Sequence, residues 1–233
     1  MVEGPGRPSA ASSLMSASAQ ARAEAKAQLL LRLRAQGFAD LALLRALENA
    51  PRENFVGPAY VDFALRDIAV PLPCGQTMEA PSALARVIAA LAPRAGSRVL
   101  EIGAGSGYSA MALSLMAREV VSVDCFETLA QAARSRLERL GARNVAVVWA
   151  DGFEIAPSFG LFDRVVVHGA LDEIPPNILG ALGEGGVLVA PRRRPSEGCV
   201  LVRHSRASGE GLTEENLGSW RAQDLLRGRF AAL

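Results

Sequence analysis

Short apolar runs alternate with segments of helical period after Ser97, and this alternation restricts the possible folds more than any other feature of the sequence. Each run is apolar throughout rather than at every second residue, which is typical of strands buried on both faces. The runs are RVLEIG, REVVSVD, NVAVVWAD, FDRVVVHG and GGVLVAP. The alternation predicts an α/β fold with a mostly parallel sheet and helices on both faces. A later run, CVLVRHS at 199–205, is a candidate antiparallel edge strand.

The residues before the sheet predict a helical cap. Apolar residues at helical spacing indicate a helix from Ala21 to about Gly37, and Asp40 is a candidate N-cap for a second helix that ends near Asn49. The first 19 residues are rich in Ser, Ala, Pro and Gly and lack hydrophobic periodicity, so we expect a flexible tail there. The expected organisation is a tail over 1–19, a helical cap with the active-site loop over 20–80, and a core domain with C-terminal edge strands over 81–233.

Composition argues against several classes of partner. The 25 basic and 24 acidic side chains leave a net charge of +1, which gives no electrostatic case for nucleic acid or a membrane surface. The three cysteines, Cys74, Cys125 and Cys199, are widely spaced without a CxxC pair, and only two histidines are present. We therefore expect neither a disulfide framework nor a metal site, and reduced thiols favour a cytoplasmic location. No run has the composition of a signal peptide or the length of a membrane span.

A glycine-rich turn, EIGAGSGY, follows the first strand of the expected sheet and opens a helix. Gly103, Gly105 and Gly107 allow a tight turn, and Asp124 ends the next strand, 17 residues beyond Gly107. A carboxylate at that place can accept hydrogen bonds from both ribose hydroxyls of an adenosine-type cofactor. The turn and Asp124 together predict a nucleoside-binding site.

Two details of the turn select the cofactor. The dinucleotide-binding pattern GxGxxG requires a third glycine where this chain has Tyr108. A carboxylate, Glu101, lies two residues before the first glycine, where it disfavours a pyrophosphate and favours a cationic ligand. S-adenosyl-L-methionine carries a sulfonium and an ammonium group, and it fits both details. Asp151 and Gly152, at the end of the third strand, are candidates to contact its adenine.

Several motifs occur in the order that is found in the protein-L-isoaspartate (D-aspartate) O-methyltransferase family, and the resemblance covers residues 22–205. The motifs are the helical lead-in LRLRAQGFADLALLRALENAPRENFVGPAY, GQTMEAP (similar to the family's GQTIS-P), VLEIGAGSGY and GALDEIPP. The resemblance implies a class I methyltransferase fold with a Rossmann-like sheet, and S-adenosyl-L-methionine as methyl donor. It also implies carboxyl methylation of isoaspartyl residues in damaged proteins, which is a repair reaction.

The same resemblance implies roles for individual residues. Thr77 and its neighbours would line the cofactor and the substrate, while Glu101, Asp124, Asp151 and Gly152 would bind the cofactor. Isoaspartyl-containing proteins or peptides would be the partners of this site. The oligomeric state is left open by the sequence.

The sequence departs from the family pattern at Glu79, where the family's active-site serine falls, at His168 and Asp172, which replace small residues, and in SWRAQDLLRGRF, where the family's substrate-holding C-terminal segment is not recognisable. Glu79 bears most directly on the chemistry. An isoaspartyl carboxylate is ionised at neutral pH and needs hydrogen-bond donors, whereas an ionised Glu79 repels it by about 1 kcal/mol at about 4 Å in water, and more at low dielectric. Either Glu79 turns away or holds a proton, or the substrate is a hydroxyl or amine with Glu79 or His168 as base. A cofactor-binding protein that has lost catalysis is a third hypothesis.

Structural roles are also open for the polar residues near this site. Glu79 is a candidate cap for a helix beginning near Pro81, His168 a candidate packing residue at its strand end, and Asp172 a candidate cap for the helix at 175–182. The catalytic candidates are Thr77, Glu79 and His168.

Overall fold

The computed structural model describes residues 10–155, 159–207 and 211–231. Its strands form a small hairpin and one large sheet. The hairpin contains β1 (Val70–Pro71) and β2 (Thr77–Met78), and the sheet contains β3 (Arg98–Ile102), β4 (Glu119–Asp124), β5 (Val145–Trp149), β6 (Phe162–Val167), β7 (Leu182–Arg194), β8 (Gly198–Ala207) and β9 (Gly211–Ser219). The helices are α1 (Ala10–Ala35), α2 (Leu41–Asn49), α3 (Pro81–Leu91), α4 (Tyr108–Ser114), α5 (Glu127–Arg139), α6 (Gly152–Ile155) and α7 (Pro176–Gly180).

The large sheet has the strand order β5-β4-β3-β6-β7-β8-β9. The pairs from β5 through β7 are parallel, and β8 and β9 pair antiparallel at the far edge. From β3 the chain proceeds outward through β4 and β5, and β6 then returns to the other side of β3. This reversal opens a crevice at the carboxyl ends of the central strands, where ligands bind in sheets of this kind.

Alternate residues of the apolar strands pack into two separate cores. On β3, Val99 belongs to the core under α2 to α5, whereas Leu100 and Ile102 belong to the core under α7. The runs are apolar throughout because both faces of the sheet are covered, as the sequence predicted. The predicted α/β sheet with helices on both faces is confirmed.

The N-terminal helical cap is present, but its first helix is longer than expected. Helix α1 begins at Ala10 instead of Ala21, because the alanine-rich segment has high helix propensity even without apolar periodicity. The tail expected over residues 1–19 is thus helical from Ala10 on, and residues 1–9 lie outside the described residues. Asp40 caps α2 as predicted, because its Oδ1 accepts hydrogen bonds from the backbone of Ala42 and Leu43.

The C-terminal part contains the antiparallel strand β8, as predicted, but β8 is not the edge strand, because β9 pairs outside it. Two elements there were not revealed by the sequence. Strand β9 pairs with β8 along the sheet edge, and residues 220–231 then return over the carboxyl ends of the central strands. We call residues 220–231 the C-terminal strap.

No helix within the described ranges is both long and apolar enough to cross a membrane.

Candidate active site

A cavity of about 450 Å³ lies at the carboxyl ends of the central strands, between the glycine turn, the β1–β2 hairpin and the strap. Most of the residues that the sequence singled out line its wall. These are Thr77, Glu79, Gly103, Gly105, Tyr108, Asp124, Gly152 and His168. Three other candidates, Glu101, Gly107 and Asp151, do not line the cavity. They contact residues that lie around it, as described below.

The glycine turn requires glycine for conformation and for close packing. Gly103, Gly105 and Gly107 all have positive φ angles, of 98°, 53° and 88°. A side chain at Gly107 would also lie 3.1 Å from Cβ of Ala133 on α5. Gly107 therefore lets α4 start against α5, while Gly103 and Gly105 present backbone to the cavity.

Asp124 lies at the end of β4 and is 5% exposed. Its Oδ2 accepts a hydrogen bond from the backbone N–H of Gly105 at 2.7 Å, and its Oδ1 accepts one from Phe126 at 2.9 Å. Burial raises the pKa of Asp124, and these two donors oppose the rise. The carboxylate thus holds the glycine turn in place, and Asp124 itself lines the cavity.

His168 lies between two carboxylates. Its Nε2 is 3.1 Å from Oε1 of Glu101, and its Nδ1 is 3.6 Å from Oε2 of Glu79. Glu101 is fully buried, and its other oxygen accepts a hydrogen bond from Ser122, its pairing partner on the neighbouring strand β4. Glu101 therefore does not reach the cavity, and it fixes the histidine that does.

The two carboxylates decide the protonation of His168. Burial alone would lower the pKa of the imidazole, but the carboxylates of Glu101 and Glu79 outweigh it and raise that pKa to about 10. The ring is consequently a cation at neutral pH and has no free lone pair with which to take a proton. A protonated His168 is a poor general base, and its two contacts with carboxylates distinguish it from a residue that only packs at the strand end.

Glu79 is free to face the cavity because another residue caps α3. The N-cap position of α3 is Ala80, which has no side-chain cap, and Oδ1 of Asp67 accepts a hydrogen bond from the N–H of Ser82 at 2.9 Å. The prediction that Glu79 caps this helix is therefore wrong. The hairpin register, in which Pro71 pairs with Thr77, places Thr77 and Glu79 side by side on the cavity wall.

Asp151 and Asp172 have different surroundings from those expected. Both oxygens of Asp151 accept backbone hydrogen bonds, from Phe153 at 2.8 Å and from Gly228 of the strap at 2.6 Å, so Asp151 ties the strap to α6. Gly152 does reach the cavity, and a side chain there would lie 2.3 Å from Ile102. Asp172 is exposed outside the cavity, and α7 begins after Pro175 without a side-chain cap.

The strap is the part of the site that sequence reasoning missed. Residues 221–226 line the cavity. The backbone of Ala170 bonds to Gln223 and Leu225 at 2.7 and 3.0 Å, and the backbone of Phe230 bonds to Cys125 at 2.8 Å. Gly169 is required beneath the strap, because a side chain there would lie 2.6 Å from Cα of Leu225. Only scattered apolar residues in the segment hint at this role.

The fold and the site together define a class of protein. A strand-order reversal, a glycine turn without a third glycine, and an acidic residue that ends the neighbouring strand are the features of a class I methyltransferase. The expected direct contact between Glu101 and a cationic ligand is wrong, because Glu101 is fully buried behind the wall and contacts His168.

Comparisons with known proteins identify the family. The model of the protein-L-isoaspartate(D-aspartate) O-methyltransferase family matches residues 24–218. The chain is 45% identical over 176 residues to the protein-L-isoaspartate O-methyltransferase of Rhodopseudomonas palustris (strain BisB5), covering 76% of this chain and 81% of the relative. It is 42% identical over 204 residues to the enzyme of the same name from Azorhizobium caulinodans, covering 88% and 90%. The chain belongs to the protein-L-isoaspartate O-methyltransferase family.

Solved structures agree with this assignment. One structure described as a protein-L-isoaspartate O-methyltransferase superposes with a TM-score of 0.77 at 27% identity, covering 85% of this chain and 65% of that chain. A Plasmodium falciparum structure, described as a putative protein-L-isoaspartate O-methyltransferase in complex with S-adenosyl-L-homocysteine, superposes with a TM-score of 0.75. It covers 85% of this chain and 97% of its own, and at 21% identity it supports the fold alone.

Proposed function

We propose that this protein transfers a methyl group from S-adenosyl-L-methionine to the free carboxylate of isoaspartyl residues in damaged proteins. The observation that carries the proposal is the position of Asp124, whose carboxylate holds the glycine turn at the wall of a 450 Å³ cavity in a chain of this family. When bound, S-adenosyl-L-methionine supplies an electrophilic methyl group for direct displacement by the substrate carboxylate.

The residues on the wall fit the parts of this cofactor. Asp124 is placed to accept hydrogen bonds from ribose hydroxyls, and Gly103 and Gly105 leave backbone surface for close approach. Gly152, the candidate contact for the adenine, lines the cavity, and its lack of a side chain lets the start of α6 pack against Ile102. Glu101, expected from the sequence to face the cationic end of the cofactor, does not line the cavity and contacts His168, so it acts on the site through that ring.

The residues of the hairpin and strap would orient the substrate. An ionised carboxylate needs no base, so the contribution of Thr77, Glu79 and the strap is to position the nucleophile and exclude water. The hypothesis of a hydroxyl or amine substrate with Glu79 or His168 as base is disfavoured, because the family model and the relatives are those of protein-L-isoaspartate O-methyltransferases, whose substrate group is a carboxylate. The cytoplasm is the proposed location, in accord with three free cysteines among the described residues.

Matched peptides that differ only at one residue test the proposal. With labelled S-adenosyl-L-methionine, we expect methylation of the isoaspartyl peptide at a rate at least about 100-fold above that of the aspartyl peptide. In an isoaspartyl residue the peptide bond runs through the side-chain carbonyl and the free carboxylate is bonded directly to Cα, whereas in an aspartyl residue the free carboxylate is bonded to Cβ. Mass spectrometry of the product should place the methyl group on that carboxylate. Equal labelling of both peptides, or labelling of neither while S-adenosyl-L-homocysteine still binds, would reject the assignment.

A further inference from the structure

Acidic groups outnumber basic ones on the cavity wall. The charged side chains that line it are three acidic residues, Glu79, Asp124 and Asp224, and two basic residues, His168 and Arg221. Asp224 forms an ion pair with Arg193, which removes most of its effect on a ligand. Arg221 lies on the strap and is exposed, so its charge is screened by solvent. His168 is thus the one inward basic group of this lining.

His168 is fixed in place by its surroundings. Its ring is held by the fully buried Glu101 at 3.1 Å, and Glu101 is held in turn by Ser122. On the backbone side, a side chain at Gly103 would already lie 3.3 Å from Cβ of His168. The side chain of His168 is only 15% exposed. The charge of His168 is therefore held at a fixed position on the cavity wall.

Glu79 is the group that this charge faces. Its Oε2 is buried, lies 3.6 Å from Nδ1 of His168, and has no hydrogen-bond partner among the described residues. A separation of 3.6 Å is an ionic contact rather than a hydrogen bond. The carboxylate of Glu79 is accordingly compensated by charge and not by a hydrogen bond. His168 is the cation in contact with it, while the buried guanidinium of Arg52 acts on it from a greater distance, so loss of His168 would increase the repulsion between Glu79 and an anionic substrate.

We propose that His168 determines whether the cavity accepts an anionic substrate, because its ring offsets the charge of Glu79 where the substrate enters. The inference rests on the proposed function and specifies the electrostatics of the same site. His168 contacts both Glu101 and Glu79, so the three groups together carry one negative charge, whereas the two carboxylates without His168 would carry two and would repel a carboxylate substrate more strongly. His168 is in this sense a specificity-determining residue that touches the substrate cavity and has no role as an acid or base.

Charge-removing substitutions test this pair. Glutamine in His168→Gln can still donate a hydrogen bond to Glu101 but carries no charge, so we expect KM for the isoaspartyl peptide to rise about tenfold or more. Glu79→Gln alone should lower KM. The double variant should return KM to within about threefold of the original value, because the uncompensated charge has been removed. The Kd of S-adenosyl-L-homocysteine should change less than about threefold in all three variants, and this measurement also checks that each variant is folded.

A matched ligand separates charge from shape. In competition assays, His168→Gln should weaken binding of the isoaspartyl peptide but leave binding of the corresponding isoasparaginyl peptide, which carries a neutral amide, unchanged. An unchanged KM in His168→Gln, a raised KM that persists in the double variant, or equal weakening of both peptides would overturn the inference. If the unmodified protein methylates no isoaspartyl peptide, the proposed function itself fails. The inference fails separately when that protein is active and the variants show no charge dependence.

Discussion

Asp124→Ala is expected to raise the Kd of S-adenosyl-L-homocysteine by about 100-fold or more. The substitution removes a charged acceptor that can bond two ribose hydroxyls, and each such hydrogen bond contributes about 1.5–3 kcal/mol. Since about 1.4 kcal/mol corresponds to a tenfold change in affinity, two bonds account for at least the expected factor. It also leaves the N–H groups of Gly105 and Phe126 without their acceptor, which loosens the glycine turn.

Isothermal titration calorimetry with S-adenosyl-L-homocysteine measures this loss. Asp172→Ala is the matched control, because Asp172 is exposed and lies outside the cavity. Asp124→Asn keeps the shape of the side chain and should still bind at least about tenfold more weakly than the unmodified protein. Binding of all three variants within about threefold of the original Kd would show that Asp124 does not contact the cofactor.

His168→Ala should lower the free energy of unfolding by about 3–5 kcal/mol at pH 7, because it strands the fully buried carboxylate of Glu101. The effect should depend on pH. The two carboxylates raise the pKa of His168 from 6.5 to about 10 against the opposing effect of burial, so the folded state binds the proton more tightly. The stabilisation is therefore complete below about pH 6.5 and is lost as the pH rises through about 10.

Urea unfolding of the unmodified protein and of His168→Ala between pH 6.5 and 10 tests this sign. The difference in unfolding free energy between the two proteins should shrink steadily as the pH rises. His204→Ala provides the control, because burial lowers the pKa of His204 and its ring is neutral in both states in the upper part of this range, where the gap for His168→Ala should still be shrinking. A gap for His168→Ala that stays constant across the range would show that the imidazole is uncharged in the folded protein.

The sheet and the glycine turn were predictable because their signals are local. An apolar run such as RVLEIG buries both faces of a strand, and the turn that follows needs glycine at positive φ, so both leave a pattern within a few residues. Strand β9 left no such pattern, because GLTEENLGS is largely exposed and is held by backbone pairing to β8. The strap is likewise held by hydrogen bonds of its backbone, which form whatever the side chains are and therefore leave no pattern in the sequence.

The electrostatics of the site could be predicted only in part. The sequence identified Glu79, Glu101 and His168 as polar residues near a cofactor, and it posed the question of what an acid does there. It could not show that they touch, because His168 and Glu101 are 67 residues apart and meet only through the pairing of β3 with β6. Their contact changes the answer, since a protonated His168 offsets the repulsion that Glu79 alone would exert.

Conversion of an isoaspartyl peptide into its aspartyl form tests the central claim most directly. The methyl ester formed by the proposed reaction is attacked by the next backbone nitrogen, which releases methanol and gives a succinimide that hydrolyses partly to aspartate. Reverse-phase chromatography of a long incubation with excess S-adenosyl-L-methionine should therefore show the aspartyl peptide accumulating, and S-adenosyl-L-homocysteine should suppress it. An isoaspartyl peptide that remains unchanged and unesterified under these conditions would contradict the account.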